Sequence, residues 1–187
     1  MTQQPDPRRA RLKALFQEKA VLRGDFTLSS GQKSSYYFDG RKVTHDPEGI
    51  ALVGALVSEA MERHGLRSIG GPATAANPII TAAQLTAQVR GYPVTAFYVR
   101  GDRKDHGTGK LIEGNPPPPG ASVMIVDDTM TSGGSILKAI QAVEEEGLRV
   151  ALILVLVDRR QGGAEAIRAK GYAVHALLEA DAQGNIL

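Results

Sequence analysis

The chain has no cysteine and no tryptophan. Without a thiol it can have no disulfide framework, no thiolate metal site and no cysteine nucleophile. Long hydrophobic runs are also missing. The longest, residues 150–157, falls far short of the about 20 residues that a membrane-spanning helix needs, and the N-terminus shows no apolar signal region. The expectation is therefore a cytoplasmic protein without a membrane partner. Nor is there an excess of one charge: 22 Lys and Arg stand against 20 Asp and Glu, a net +2 that gives no field for nucleic acid. Basic residues gather in two places. Arg8, Arg9, Arg11 and Lys13 are expected to form the solvated face of an opening helix; the second group lies in residues 100–110.

At 187 residues the chain suits one domain spanning 1–187, large enough to bury a core. Helical and strand-like segments alternate along it. A helix should start at Asp46 as N-cap with Pro47 as its first residue, bury Ile50, Val53, Val57 and Met61, and end by Gly65. Then follow a strand at 67–70, a helix at 78–90 and a strand at 94–99. After a glycine- and proline-rich stretch, 101–120, residues 122–126 are short and wholly apolar, as suits a strand buried on both faces, and stop at Asp127. A helix over 135–146 with Ile136, Leu137, Ile140 and Val143 inward leads to a strand at 150–157. A short helix (164–170) and a last strand (172–178) repeat the unit. This alternation predicts an α/β fold with a central parallel sheet flanked by helices. Residues 21–44 do not fit it: 25–29 and 35–38 alternate like an antiparallel pair around Ser30-Gly31, and form a small hood over the sheet.

Ligands of open α/β sheets gather at the carboxyl ends of the strands. The residues after Val126 are Asp127, Asp128, Thr129, Met130, Thr131, Ser132, Gly133, Gly134 and Ser135. Glycines let backbone N–H groups turn inward as a nest, hydroxyls add donors, and the N-terminus of the next helix favours an anion. Two preceding acids can accept hydrogen bonds from vicinal hydroxyls. The string therefore suits a phosphate on one side and a sugar diol on the other. Gly107-Thr-Gly-Lys110 looks like the end of a Walker A loop, but Leu111 stands where Ser or Thr should hold Mg²⁺ and the glycine spacing is wrong.

The string resembles the sugar-phosphate signature of the type I phosphoribosyltransferases, which implies that family's fold and phosphoribosyl pyrophosphate (PRPP) as a substrate. Further stretches resemble orotate phosphoribosyltransferases over nearly the whole chain. Residues 26–31, then Lys33-Ser-Ser-Tyr-Tyr-Phe-Asp39 and Arg41, look like that family's N-terminal hood over the base. Residues 100–114 look like its mobile catalytic loop, and Val157-Asp158-Arg159 with Gly162-Gly163 like the place where an arginine meets the base carboxylate. The resemblance implies transfer of phosphoribosyl from PRPP to orotate. Arg100, Arg103, Lys104 and His106 would meet the pyrophosphate, Asp127 and Asp128 the ribose hydroxyls, and residues 129–135 the rest of PRPP, with Asp128 also catalytic. Arg159 and Thr131 would reach orotate. It also implies Mg²⁺ held mainly by substrate oxygens, with no protein metal site, and a homodimer sharing its mobile loops.

The match departs from the family in three places. Gly101 follows Arg100 where a lysine is usual. Ala75 and Asn77 replace the commoner glycine and aspartate, and a Cβ at Ala75 would resist a positive φ. Arg160-Gln161 replaces acidic residues. A PRPP- or nucleotide-binding paralogue with little catalysis, and a transferase for another base, stay open on the sequence.

Overall fold

The computed structural model describes residues 6–27, 33–102 and 111–187. Helix α1 (Pro7–Leu15) starts at Asp6, whose carboxylate accepts from Arg8 N, and runs through one π-helical turn (Phe16–Ala20). Its basic residues are not merely solvated. Arg8 pairs with Glu59, and Arg11 with Glu48, both on the next long helix. Exposed pairs contribute about 0–1 kcal/mol each, whereas burying one leucine contributes roughly 1.5–3 kcal/mol. Leu12, Leu15 and Phe16, all fully buried, therefore dominate the seating of α1.

Strands β1 (Val21–Thr27) and β2 (Lys33–Phe38) form a separate antiparallel ribbon, the expected hood. Phe38 stacks on Phe16 at 5.8 Å, fastening the ribbon to the end of α1. A single turn, α2 (Arg41–Thr44), leads to α3 (Pro47–Arg63). Asp46 caps α3 as its position before Pro47 predicts, accepting from the N–H groups of Glu48 and Gly49. Val53, Val57 and Met61 are buried, and Ile50 is partly so.

The remaining elements are β3 (Ser68–Gly70), α4 (Ala76–Val89), β4 (Thr95–Val99), β5 (Ile112–Gly114), β6 (Ser122–Met130), α5 (Gly134–Glu145), β7 (Arg149–Asp158), α6 (Gly163–Arg168) and β8 (Val174–Glu179). They build a six-stranded sheet in the order β5-β4-β3-β6-β7-β8. It is parallel except at β5, which pairs antiparallel with β4 at the edge. That strand was not legible, since three residues are too few to show a period. Met124 and Val126 of β6 and Leu152, Leu154 and Leu156 of β7 face the cluster under α1, α3 and α4. Val123, Ile125, Ile153 and Val155 face the cluster under α5 and α6. Two-faced burial explains why both strands read as unbroken apolar runs.

One expected boundary is overturned. β6 does not stop at Asp127 but continues to Met130, with Asp127 opposite Val155, Thr129 opposite Val157 and Met130 opposite Asp158. The long neighbour β7 supplies backbone partners that far, so the polar side chains end the apolar run without ending the strand.

Candidate active site

The carboxyl ends of β3, β6 and β7 lie side by side, and three turns leave the sheet there. The turn after β3 touches β6 directly: a Cβ on Gly71 would collide with the carbonyl oxygen of Val126, just before Asp127. Asp127 is 4% exposed and Asp128 9%, so two adjacent carboxylates are held almost out of water. Asp127 accepts from the Ser135 hydroxyl at 3.0 Å and from Asp128 N at 3.0 Å. Asp128 accepts from the Thr129 hydroxyl at 2.9 Å. Burial, reinforced by the Asp128 charge, pushes the Asp127 carboxyl up to about 7. Burial also raises Asp128, against the Thr129 hydrogen bond. The turn that follows the hood abuts Asp128: an added Cβ on Gly40 would lie 2.5 Å from its Oδ2.

The turn after β6 is shorter than the string suggested. Thr129 and Ser135, expected to donate to a phosphate, donate to the two acids instead, and the Met130 side chain is buried in the core. What reaches the surface is Thr131, Ser132, Gly134 and Ser135, with Gly133 buried beneath them as the N-cap of the 12-residue α5. Gly133 takes φ +78, a conformation costly for any other residue, and turns the chain into the helix. Gly163 at the head of α6 packs so closely on this turn that a Cβ there would meet the Thr131 carbonyl oxygen and, at 3.0 Å, Gly133 N. The result is a cradle of N–H groups at a helix N-terminus, suited to a phosphate.

Arg159 leaves β7 beside this cradle, its N–H donating to Met130 O at 3.0 Å. It is not a surface arginine. Only 7% is exposed, and Nε is buried without a hydrogen-bond partner. A buried guanidinium left so is costly unless an anion completes it. Its charge lies over the ring of Tyr36, 4.9 Å from the centroid, so the hood meets the arginine there.

A phosphoribosyl transferase domain model matches residues 59–177, more than half of the chain. The orotate phosphoribosyltransferase of Bradyrhizobium sp. (strain ORS 278) is 38% identical over 175 residues, covering 92% of this chain and 95% of that protein. The chain belongs to the orotate phosphoribosyltransferase family. Among solved members, that of Mycobacterium tuberculosis H37Rv with Fe(III) dicitrate superposes at TM-score 0.81 with 38% identity, covering 92% of this chain and 97% of that one. Its complex with PRPP gives 0.77 with 37% identity, covering 92% and 96%.

Set against the family pattern, the departures acquire physical meaning. Ala75 has φ −63 and ψ −36, ordinary helical values, so the anticipated conflict with a positive φ does not arise. Asn77 lies in the first turn of α4 with its buried Oδ1 unpartnered. Arg160 is exposed, beside Glu179 at 3.7 Å. Arg100, expected at the pyrophosphate, pairs with Glu113 of β5 at 3.3 Å. Its N–H donates to Leu111 O at 2.9 Å, which clamps the two ends of the intervening loop. Arg103, Lys104 and His106 lie outside the described residues. Gly40 on Asp128 and Glu113 on Arg100 are contacts across the fold that no local pattern signals.

Proposed function

We propose that this protein transfers the 5-phosphoribosyl group of PRPP to N1 of orotate, forming orotidine 5′-monophosphate and pyrophosphate, a step of pyrimidine nucleotide synthesis. The observation that carries the choice of base is Arg159, a buried guanidinium with an unpartnered Nε beside the anion cradle. Orotate has a carboxylate to meet it, and uracil, adenine and guanine do not.

In this reading Thr131 to Gly134 bind the 5′-phosphate, and Asp127 and Asp128 accept hydrogen bonds from the ribose hydroxyls. The C1–O bond to pyrophosphate breaks as the C1–N1 bond forms, the N1 proton of orotate leaves with the departing pyrophosphate, and positive charge on the sugar is steadied by those carboxylates. Arg103, Lys104 and His106, with Arg100, supply the charge that the departing pyrophosphate needs. Mg²⁺ is part of the proposal. The ion would be held mainly by substrate oxygens and water rather than by a protein cage. When bound, it would neutralise the leaving pyrophosphate.

A homodimer sharing its loops belongs to the same proposal. It is supported by α4, which carries no charged residue and exposes Leu85 (64%) and Val89 (80%). A cytoplasmic location is consistent with this: among the described residues no helix is long and apolar enough to cross a membrane.

Chromatography of a mixture of protein, PRPP, Mg²⁺ and orotate tests the reaction. Orotidine monophosphate and pyrophosphate should form one to one and stop on chelation. Lys104→Ala should slow turnover by roughly 10²–10³, the effect of losing one preorganised donor; unchanged turnover would remove the leaving-group role.

A further inference from the structure

The last residues of the chain form a turn whose position the fold of the sheet does not require. Beyond β8, Asp181 accepts from Gln183 N at 2.9 Å, from Asn185 N at 2.8 Å and from Asn185 Nδ2 at 2.8 Å. Ala180 and Ile186 then pair across it as an isolated antiparallel bridge, and both are buried in the larger core cluster. Ile186 N also donates to Gln17 Oε1 at 2.7 Å, next to the base of the hood. The turn is thus fastened at both ends and closed by its own aspartate.

Its apex bears on the hood. Gly184, at φ +79, lies against the ring of Tyr36, where an added Cβ would stand 2.6 Å from Cδ2 and 2.8 Å from Cε2. Arg23 of β1 donates to Gln183 O and, at 3.0 Å, to Asn185 Oδ1, and its guanidinium carbon lies 6.0 Å from the centroid of the same ring. The Tyr36 ring is therefore braced by Gly184 and Arg23, while the guanidinium of Arg159 rests over it at 4.9 Å. Because the ring is only 3% exposed, it cannot move away from Gly184 without disturbing what it touches.

We infer that the turn at 181–187 is a positioning element for the base site: through Tyr36, Gly184 sets where Arg159 presents its guanidinium to the pyrimidine carboxylate. The inference rests on the proposed role of Arg159 and deepens it. Tyr36 and Gly184 are positioning residues, and their influence is confined to the base half of the site, since the phosphate cradle and the two aspartates are built from β6 and α5.

Steady-state KM values for orotate and for PRPP, measured on the full chain with Mg²⁺, test this. Gly184→Ala should raise KM for orotate about tenfold, as expected for a displaced cation–π contact and a misaimed carboxylate ligand, and leave KM for PRPP within about twofold. Alanine at φ +79 also strains the turn, so Tyr36→Leu, which removes the ring face and leaves the turn intact, must give the same selective rise. Equal changes in both KM values, or no change in either, overturn the inference. Arg159→Ala separates it from the reading beneath it. If that variant leaves KM for orotate unaltered, or the unmodified protein transfers nothing to orotate, the base-site reading itself fails. If Arg159→Ala raises KM for orotate and Gly184→Ala and Tyr36→Leu do not, only the positioning role is lost.

Discussion

The hydroxyl of Ser135, at the head of α5, donates to the carboxylate of Asp127, on β6, across 3.0 Å. The bond joins the proposed anion cradle to the two acids, so in the proposed complex a phosphate and a ribose would share one support. Among the described residues it is one of two hydrogen bonds offsetting the cost of keeping Asp127 out of water.

That cost predicts a slope of stability with pH. The folded carboxyl keeps its proton up to about 7, whereas an unfolded one loses it near 3.8. Between those values the folded state binds more protons, so stability falls as pH rises. Asp127→Asn, which stays neutral, should flatten thermal melts between pH 5 and pH 8 and raise the melting temperature at pH 8, while turnover falls about 10²-fold or more. Equal slopes in both proteins would refute the assignment.

PRPP binding should release a proton below pH 7, because ribose hydroxyls donate to the ionised form of Asp127. Calorimetric titration in two buffers of different ionisation enthalpy reads that release directly. The apparent kcat/KM for PRPP should decline as pH falls through about 7.

Gly40→Ala would place a methyl group 2.5 Å from Asp128 Oδ2. Because the helical turn after Gly40 fixes the backbone there, Asp128 must shift, and PRPP turnover should drop about tenfold with little change in orotate affinity. A variant with normal kinetics would show that this turn yields freely beside Asp128.

The sheet was legible because its central strands are buried on both faces and its helices are capped where Asp46-Pro47 and the glycines say. The candidate diol-and-phosphate site could be proposed because acids, hydroxyls and glycines follow one another along the chain. Contacts between segments far apart were not: nothing near Tyr36 announces Gly184, and nothing near Arg100 announces Glu113. Nor did local spacing show that the Thr129 and Ser135 hydroxyls donate to Asp128 and Asp127.

The uncharged outer face of α4 supports association. Replacing Leu85 and Val89 together by Glu should convert a dimeric molar mass, measured by light scattering, into a monomeric one, since paired charges are costly in an apolar interface. A monomeric unmodified protein would overturn the dimer proposal.

The most direct measurement is the loss of orotate absorbance when protein meets PRPP, Mg²⁺ and orotate, beside parallel mixtures with uracil or hypoxanthine. Turnover with orotate alone is the predicted result. Turnover with a base lacking the carboxylate, or PRPP binding with no turnover at all, would contradict it.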